Sequence, residues 1–191
     1  LIIDPPNGRR PPQTEAAQAR ARERFGAGRG RSDGPEDRGL GDRCLHFASP
    51  NMGSGYNSYF QLFQTPEQVT IIQEMGHIVR TIPLDGRPHL DEKIPQWTGN
   101  ARGRWEGDTL VVETRNYEPR SRYSGGSESL VLVERFTRVG PTVLRQEITL
   151  RDPDTWTAPW TVELLLDQSQ DAIFEYACHE GNYAMPGILG G

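Results

Sequence analysis

The stretch Gly103-Arg104-Trp105-Glu106-Gly107-Asp108-Thr109-Leu110-Val111-Val112-Glu113-Thr114 constrains this chain more than any other. A Gly-Asp turn separates two short extended runs. The second run, Thr109 to Thr114, is β-branched and bounded by polar groups, as a half-buried strand is. A hairpin of this kind sits at the centre of an all-β domain. Further strand-like runs recur at fairly regular intervals: Ser58 to Gln64, Gln68 to Met75, His77 to Pro83, Ala101 to Glu106, Asp108 to Arg115, Ser127 to Arg138, Thr142 to Arg151, Trp160 to Asp167 and Ala172 to Cys178. The two-residue period is clearest in two of them. Leu130, Leu132 and Phe136 share a face with Glu134 between, and Leu144, Ile148 and Leu150 share a face with Gln146 between. Gly140-Pro141 joins that pair as a hairpin, and Trp160, Val162, Leu164 and Leu166 form one dry face of a later strand.

Eight or nine such strands, with short links and no intervening helical pattern, predict an all-β antiparallel meander closing into a calycin- or lipocalin-like barrel, because closure removes exposed edges. A two-sheet sandwich is the alternative. Composition fits either architecture, since 21 Gly and 15 Pro in 191 residues suit turns better than long helices. Residues 1 to 43 read as an N-terminal arm, with Thr14 capping a short helix over Glu15 to Phe25 and Gly26 stopping it. Residues 44 to 191 read as a single domain, with Asn182 to Gly191 as a loop against it. The arginines at 20, 22, 24, 29 and 31 are interleaved with acids and read as a solvated surface.

A formal net charge of −5 and a pI near 5.4 argue against nucleic acid or an anionic membrane surface as partner. No run approaches the ~18 apolar residues of a membrane span. The two cysteines, Cys44 and Cys178, allow either one bridge closing a loop of ~130 residues or two buried thiols. The even count, together with a first residue that is Leu1 rather than Met, favours the bridge, an oxidising compartment and export.

A barrel of this size either fills its interior or holds one small ligand, and its mouth is the default site. Polar candidates near strand ends are His46, Tyr56, Tyr59, Glu74, His77, Arg80, Asp85, Arg87, His89, Trp105, Tyr176, His179 and Glu180. On a strand His77 shares a face with Met75 and Val79, while Glu74, Ile78 and Arg80 point the other way. That spacing predicts a histidine facing a partly apolar interior and tuned for acid–base work, or a hydrogen-bonded structural one. Glu74 meets His77 only if Gly76 turns the chain. Tyr59 is the other candidate beside His77, while Arg80, Arg87 and His89, with Trp105 and Tyr56, are candidates for holding a substrate. Asp85-Gly86-Arg87-Pro88-His89 is also explained as a turn.

His46, His77, His89 and His179 are scattered without metal-ligand spacing, so no metal site is expected, and Glu74 is the carboxylate that would complete one if strands gathered them. Ser54 in Gly53-Ser54-Gly55 lacks the strand-to-helix setting of a nucleophile elbow, and no Gly-rich loop opens a helix to cradle phosphate. No organic cofactor is expected. Trp97, Trp105, Trp156 and Trp160, with Tyr56, Tyr59, Tyr117 and Tyr123, make either core plugs or a platform for a saccharide or aromatic ligand.

Several stretches carry a resemblance: Phe63-Gln64-Thr65-Pro66, Glu74-Met75-Gly76-His77 through Arg80, Asp85-Gly86-Arg87-Pro88-His89, the hairpin from Gly103 to Val112, Glu134-Arg135-Phe136, Asp152-Pro153, Pro159-Trp160-Thr161 and Tyr176-Ala177-Cys178-His179-Glu180-Gly181-Asn182. Through them the chain resembles a family of exported proteins of uncharacterised activity from soil bacteria and metagenomes. The resemblance covers most of the chain from Cys44 onward. It implies export and a Cys44–Cys178 bridge, and implies no reaction. The likeness to lipocalins is one of architecture only, because their Gly-x-Trp opening is missing. Three functions fit these observations. The first is an exported, cofactor-independent lyase, isomerase or hydrolase acting on a small organic molecule through His77 with Glu74 or Tyr59. The second is a periplasmic or secreted binding module, favoured by an apolar interior with few titratable groups, and the third is a carbohydrate-binding protein using its tryptophans.

Overall fold

Among the described residues, nine strands and two helices, taken in chain order, are β1 (Ile2–Asp4), α1 (Glu15–Gly28), β2 (Phe60–Gln64), β3 (Gln68–Gln73), β4 (Val79–Pro83), β5 (Asn100–Glu106), β6 (Thr109–Arg115), β7 (Val131–Arg138), β8 (Val143–Arg151), β9 (Trp160–Asp167) and α2 (Ala184–Leu189). The computed structural model describes residues 1–28, 33–47, 49–50, 56–121 and 123–190. The readings placed on Arg29, Arg31 and Gly53-Ser54-Gly55 lie outside the described residues.

The hairpin read from sequence is present: β5 and β6 pair antiparallel with Gly103 opposite Val112 and Trp105 opposite Leu110. Gly107, at φ +58°, turns the chain between them in a region open to glycine at little cost. From β6 the meander runs through β7, β8 and β9, and the six-stranded sheet has the order β1-β9-β8-β7-β6-β5. A second, three-stranded sheet has the order β2-β3-β4. Among the described residues, hydrogen bonds trace these two antiparallel sheets and do not join them into a closed barrel.

The sheets nevertheless share a core. Val69, Ile71 and Ile82 of the small sheet pack with Ala101, Leu110, Val112 and Phe136 of the large one. Gly103 allows the approach, since a Cβ there would stand 2.7 Å from Ile82 Cγ2 and from Leu84 Cδ2. A second cluster, including Leu132, Ile148, Leu150, Trp156 and Trp160, fills the other end, where the two tryptophan rings meet edge to face at 5.5 Å.

Four local readings change. Ile2–Asp4, within the N-terminal arm, forms a strand that pairs with β9, and the chain after it bridges Gln13 to Trp156. Thr14 does cap α1, its Oγ1 accepting from the Ala17 N–H at 3.1 Å, yet the helix runs through Gly26 to Gly28. One glycine costs only about 1 kcal/mol in a helix and does not end it. Ala172 to Cys178 is not a strand and pairs with none of the described edge strands. The C-terminal residues read as a loop include α2. Instead of strand pairing, the segment after β9 is held by the Cys44–Cys178 disulfide and by Asn182 Nδ2 donating to the Asp42 carbonyl at 2.8 Å. Among the described residues, no helix is long and apolar enough to cross a membrane.

Candidate functional site

Strand register decides what faces the interior. Leu62, Ile71 and Arg80 stand opposite one another across the small sheet, as do Gln64, Val69 and Ile82, so Arg80 belongs to the row that carries the core. On the large sheet Val112, Glu134, Ile148 and Val162 form one inward row. Arg80 is 2% exposed and Glu134 is fully buried. The Arg80 Nη1 donates to Glu134 Oε1 at 3.1 Å, its Nη2 donates to Oε2, and Nη2 also reaches Thr114 Oγ1 at 3.4 Å. Gln146 Nε2 adds a further donor to Glu134 Oε1 at 2.9 Å.

A buried charge of either sign is costly alone and tolerable as a hydrogen-bonded pair. Burial by itself would lower the Arg80 pKa, but the adjacent Glu134 carboxylate outweighs it and the net direction is up. Burial pushes the Tyr117 and Tyr123 hydroxyls up, and the Glu134 charge adds to it.

Beside the pair lies a cavity of ≈ 20 Å³ lined by Tyr59, Phe60, Gln73, Arg80, Phe136 and Gln146, among others. Ser49 Oγ donates to Gln73 Oε1 at 2.9 Å, and among the described residues Gln73 Nε2 and Arg80 Nε have no hydrogen-bond partner. Two candidates from sequence, Tyr59 and Arg80, therefore meet here, and Gln73, Glu134 and Gln146 join them. The last two carried a legible signal, for each interrupts an otherwise apolar inward row of its strand.

His77 departs from the reading. Gly76, at φ +70°, turns the chain in a 3₁₀ turn over Met75–His77, where a Cβ on Gly76 would stand 2.4 Å from Phe47 Cδ2. The alternation of faces held but its sense is inverted: Glu74, Ile78 and Arg80 are buried, while His77 and Val79 are exposed. Glu134 is the reason, since it provides an interior partner for an arginine that residue type alone would place outside. The turn brings the His77 N–H to the Glu74 carbonyl at 3.3 Å, but the side chains part. His77 Nε2 accepts the Tyr176 N–H at 3.2 Å, and Glu74 Oε2 is buried without a hydrogen-bond partner. The Tyr176 hydroxyl is pushed up by burial and then by its hydrogen bond with Tyr56, an exposed residue on this same surface.

The remaining candidates lie elsewhere. Arg87 is exposed and paired with Asp85 in the turn that its sequence predicted. His89 Nδ1 lies 3.0 Å from Asn100 Oδ1, an oxygen that also accepts the Leu90 N–H, and its Nε2 lies 3.4 Å from Glu113 Oε1, a pair that forms an ion pair only when the imidazole is protonated. Burial lowers the His89 pKa, and Arg115 and Arg102 reinforce it against Asn100 and Glu113. Trp105 shares the inward parity of Gly103 and is half exposed at the strand's end. Trp97 stacks with Arg120 and lies 5.8 Å from His46, whereas Trp156 and Trp160 are core. His179 is exposed. No three His, Cys, Asp or Glu side chains gather into a metal-binding group among the described residues.

No protein-family model, curated protein or solved structure matches this chain.

Proposed function

We propose that this chain is an exported, non-catalytic binding domain for a small organic molecule or saccharide, with Tyr59 and Phe60 at the site's mouth and Gln73, Arg80 and Gln146 at its base. We further read the two sheets as the halves of an open, lipocalin-like barrel, with β4 beside β5, and the chain as akin to the exported family its motifs resemble. The observation that carries the binding reading is the pair of buried, unpartnered donors, Gln73 Nε2 and Arg80 Nε, in residues lining one cavity. Binding sites of this kind combine apolar walls with a few converging polar groups. The disulfide supports export.

Acid–base turnover has less support. Tyr59 and Arg80 are the titratable side chains among the described lining residues, and Arg80 is committed to Glu134. His77 stands on the surface with its Nε2 engaged by Tyr176. The test is saturation-transfer NMR with a panel of small aromatic compounds and mono- and disaccharides, run on the wild type and on Tyr59→Ala. Binders whose signal falls in Tyr59→Ala are expected. A panel without binders, or binders indifferent to Tyr59, removes this reading, and turnover of a bound compound that is lost in His77→Ala restores the enzymatic one.

A further inference from the structure

Resting on the binding reading above, the chemistry of the cavity narrows what enters it. Gln73 closes β3 and Arg80 sits on β4, both on the inward face and both more than nine-tenths buried. Glu134 already receives three donors, two from Arg80 and one from Gln146, which use most of the acceptor capacity of its carboxylate. What remains is a surplus of donors: the Arg80 Nε–H and the Gln73 amide N–H, both without partner among the described residues. A buried donor left unmade is costly, and a partner that supplies an acceptor recovers that cost.

Size and charge then select the acceptor. A cavity of ≈ 20 Å³ has room for about one water-sized group. The Arg80 and Glu134 charges cancel, so an anion placed beside them would add a buried charge without a counterion. A cation or an N–H donor would meet donors. A single neutral oxygen with two lone pairs satisfies both hydrogen bonds and leaves the charge balance intact. We infer that this cavity is a receptor for a neutral carbonyl oxygen, the amide, ketone or ester end of a larger ligand, which accepts from Gln73 Nε2 and Arg80 Nε while its apolar body lies against Tyr59 and Phe60. Tyr59, nearly half exposed, is placed to be covered by that body.

Four probes that share one ring and differ in one group separate the possibilities: acetophenone, benzamide, benzoate and benzylamine, titrated into the ¹⁵N-labelled full chain while the Gln73 side-chain amide and the Arg80 Nε resonances are followed. Acetophenone and benzamide are expected to shift both resonances and to bind about tenfold more tightly than benzoate or benzylamine, as one retained hydrogen bond implies. Gln73→Leu should weaken acetophenone by a similar factor. Tighter binding of benzoate that moves the same resonances overturns the neutral-carbonyl inference and leaves the binding site standing. Acetophenone binding unchanged in Gln73→Leu overturns the inference as well. If none of the four probes moves Gln73, Arg80 or Tyr59, the inference falls together with the binding reading, and the wild-type titration alone decides this even where the variant fails to fold.

Discussion

The polar centre between the two sheets and the segment that follows β9 are both assembled from residues far apart in the chain, but by opposite means. Arg80 and Glu134, 54 residues apart, are brought together by two sheets sharing one core, and each is surrounded by packed neighbours. Residues 168–182, by contrast, form no strand and are largely exposed. A covalent bond between Cys44 and Cys178, with Cα atoms 5.7 Å apart, ties that segment to the domain, helped by His77 and Asn182. Burial organises the first region and cross-linking organises the second. In the first, removing one partner leaves an uncompensated charge; in the second, removing the link frees a segment that buries little.

The sharpest way to break this contrast is Glu134→Leu. It strands the Arg80 guanidinium in the core and should cost about 3–5 kcal/mol in chemical denaturation, whereas Arg80→Met combined with Glu134→Leu should recover most of that loss. A Glu134→Leu cost below about 1 kcal/mol would mean that the pair is not what holds the centre. Next comes reduction of the disulfide, which closes 134 residues of sequence separation and should lower stability by about 2–5 kcal/mol. Because the bond lies outside the sheets, Gln73 and Arg80 resonances should keep their positions in the reduced, still folded protein. Free thiols in the unfolded, unreduced chain would refute the bridge.

The smallest effect is expected at His89, which is intermediate between the two regions, half-buried and facing Glu113. Burial depresses its folded pKa below the ordinary 6.5, so the folded state resists protonation more than the unfolded one. Its contribution to stability is therefore full above pH 6.5 and is lost as the pH falls toward the depressed folded value. His46 titrates in the same direction, also through burial. Denaturation midpoints of His89→Gln should fall less steeply than those of the wild type in this window, above the carboxylate range. Parallel curves for the two proteins would remove His89 as a contributor.

Much of the fold was legible residue by residue. Trp160–Asp167 is a strand with the limits its alternation predicted, and the Gly107 and Gly140-Pro141 turns stand where their residues put them. Only half of the site was. Tyr59 and Arg80 were candidates, but the partners of Arg80 were not found, although Glu134 and Gln146 sat in plain view among leucines of inward parity. Residue type turns His77 inward and Arg80 outward, and a neighbouring sheet that supplies the Glu134 carboxylate reverses that choice.

The sequence by itself determined the antiparallel meander, the hairpins and the Thr14 cap, because each rests on period or turn chemistry, and it favoured a bridge between the two cysteines without excluding free thiols. Only the tertiary structure decided that β1 completes the large sheet, that Ala172 to Cys178 stays unpaired, and that Arg80 lies inside as one of the residues lining a small cavity. The reason is physical. Local patterns report what a residue prefers against water, while the free energy of a buried charge or an unpaired edge depends on partners that only the folded chain brings within a few ångströms.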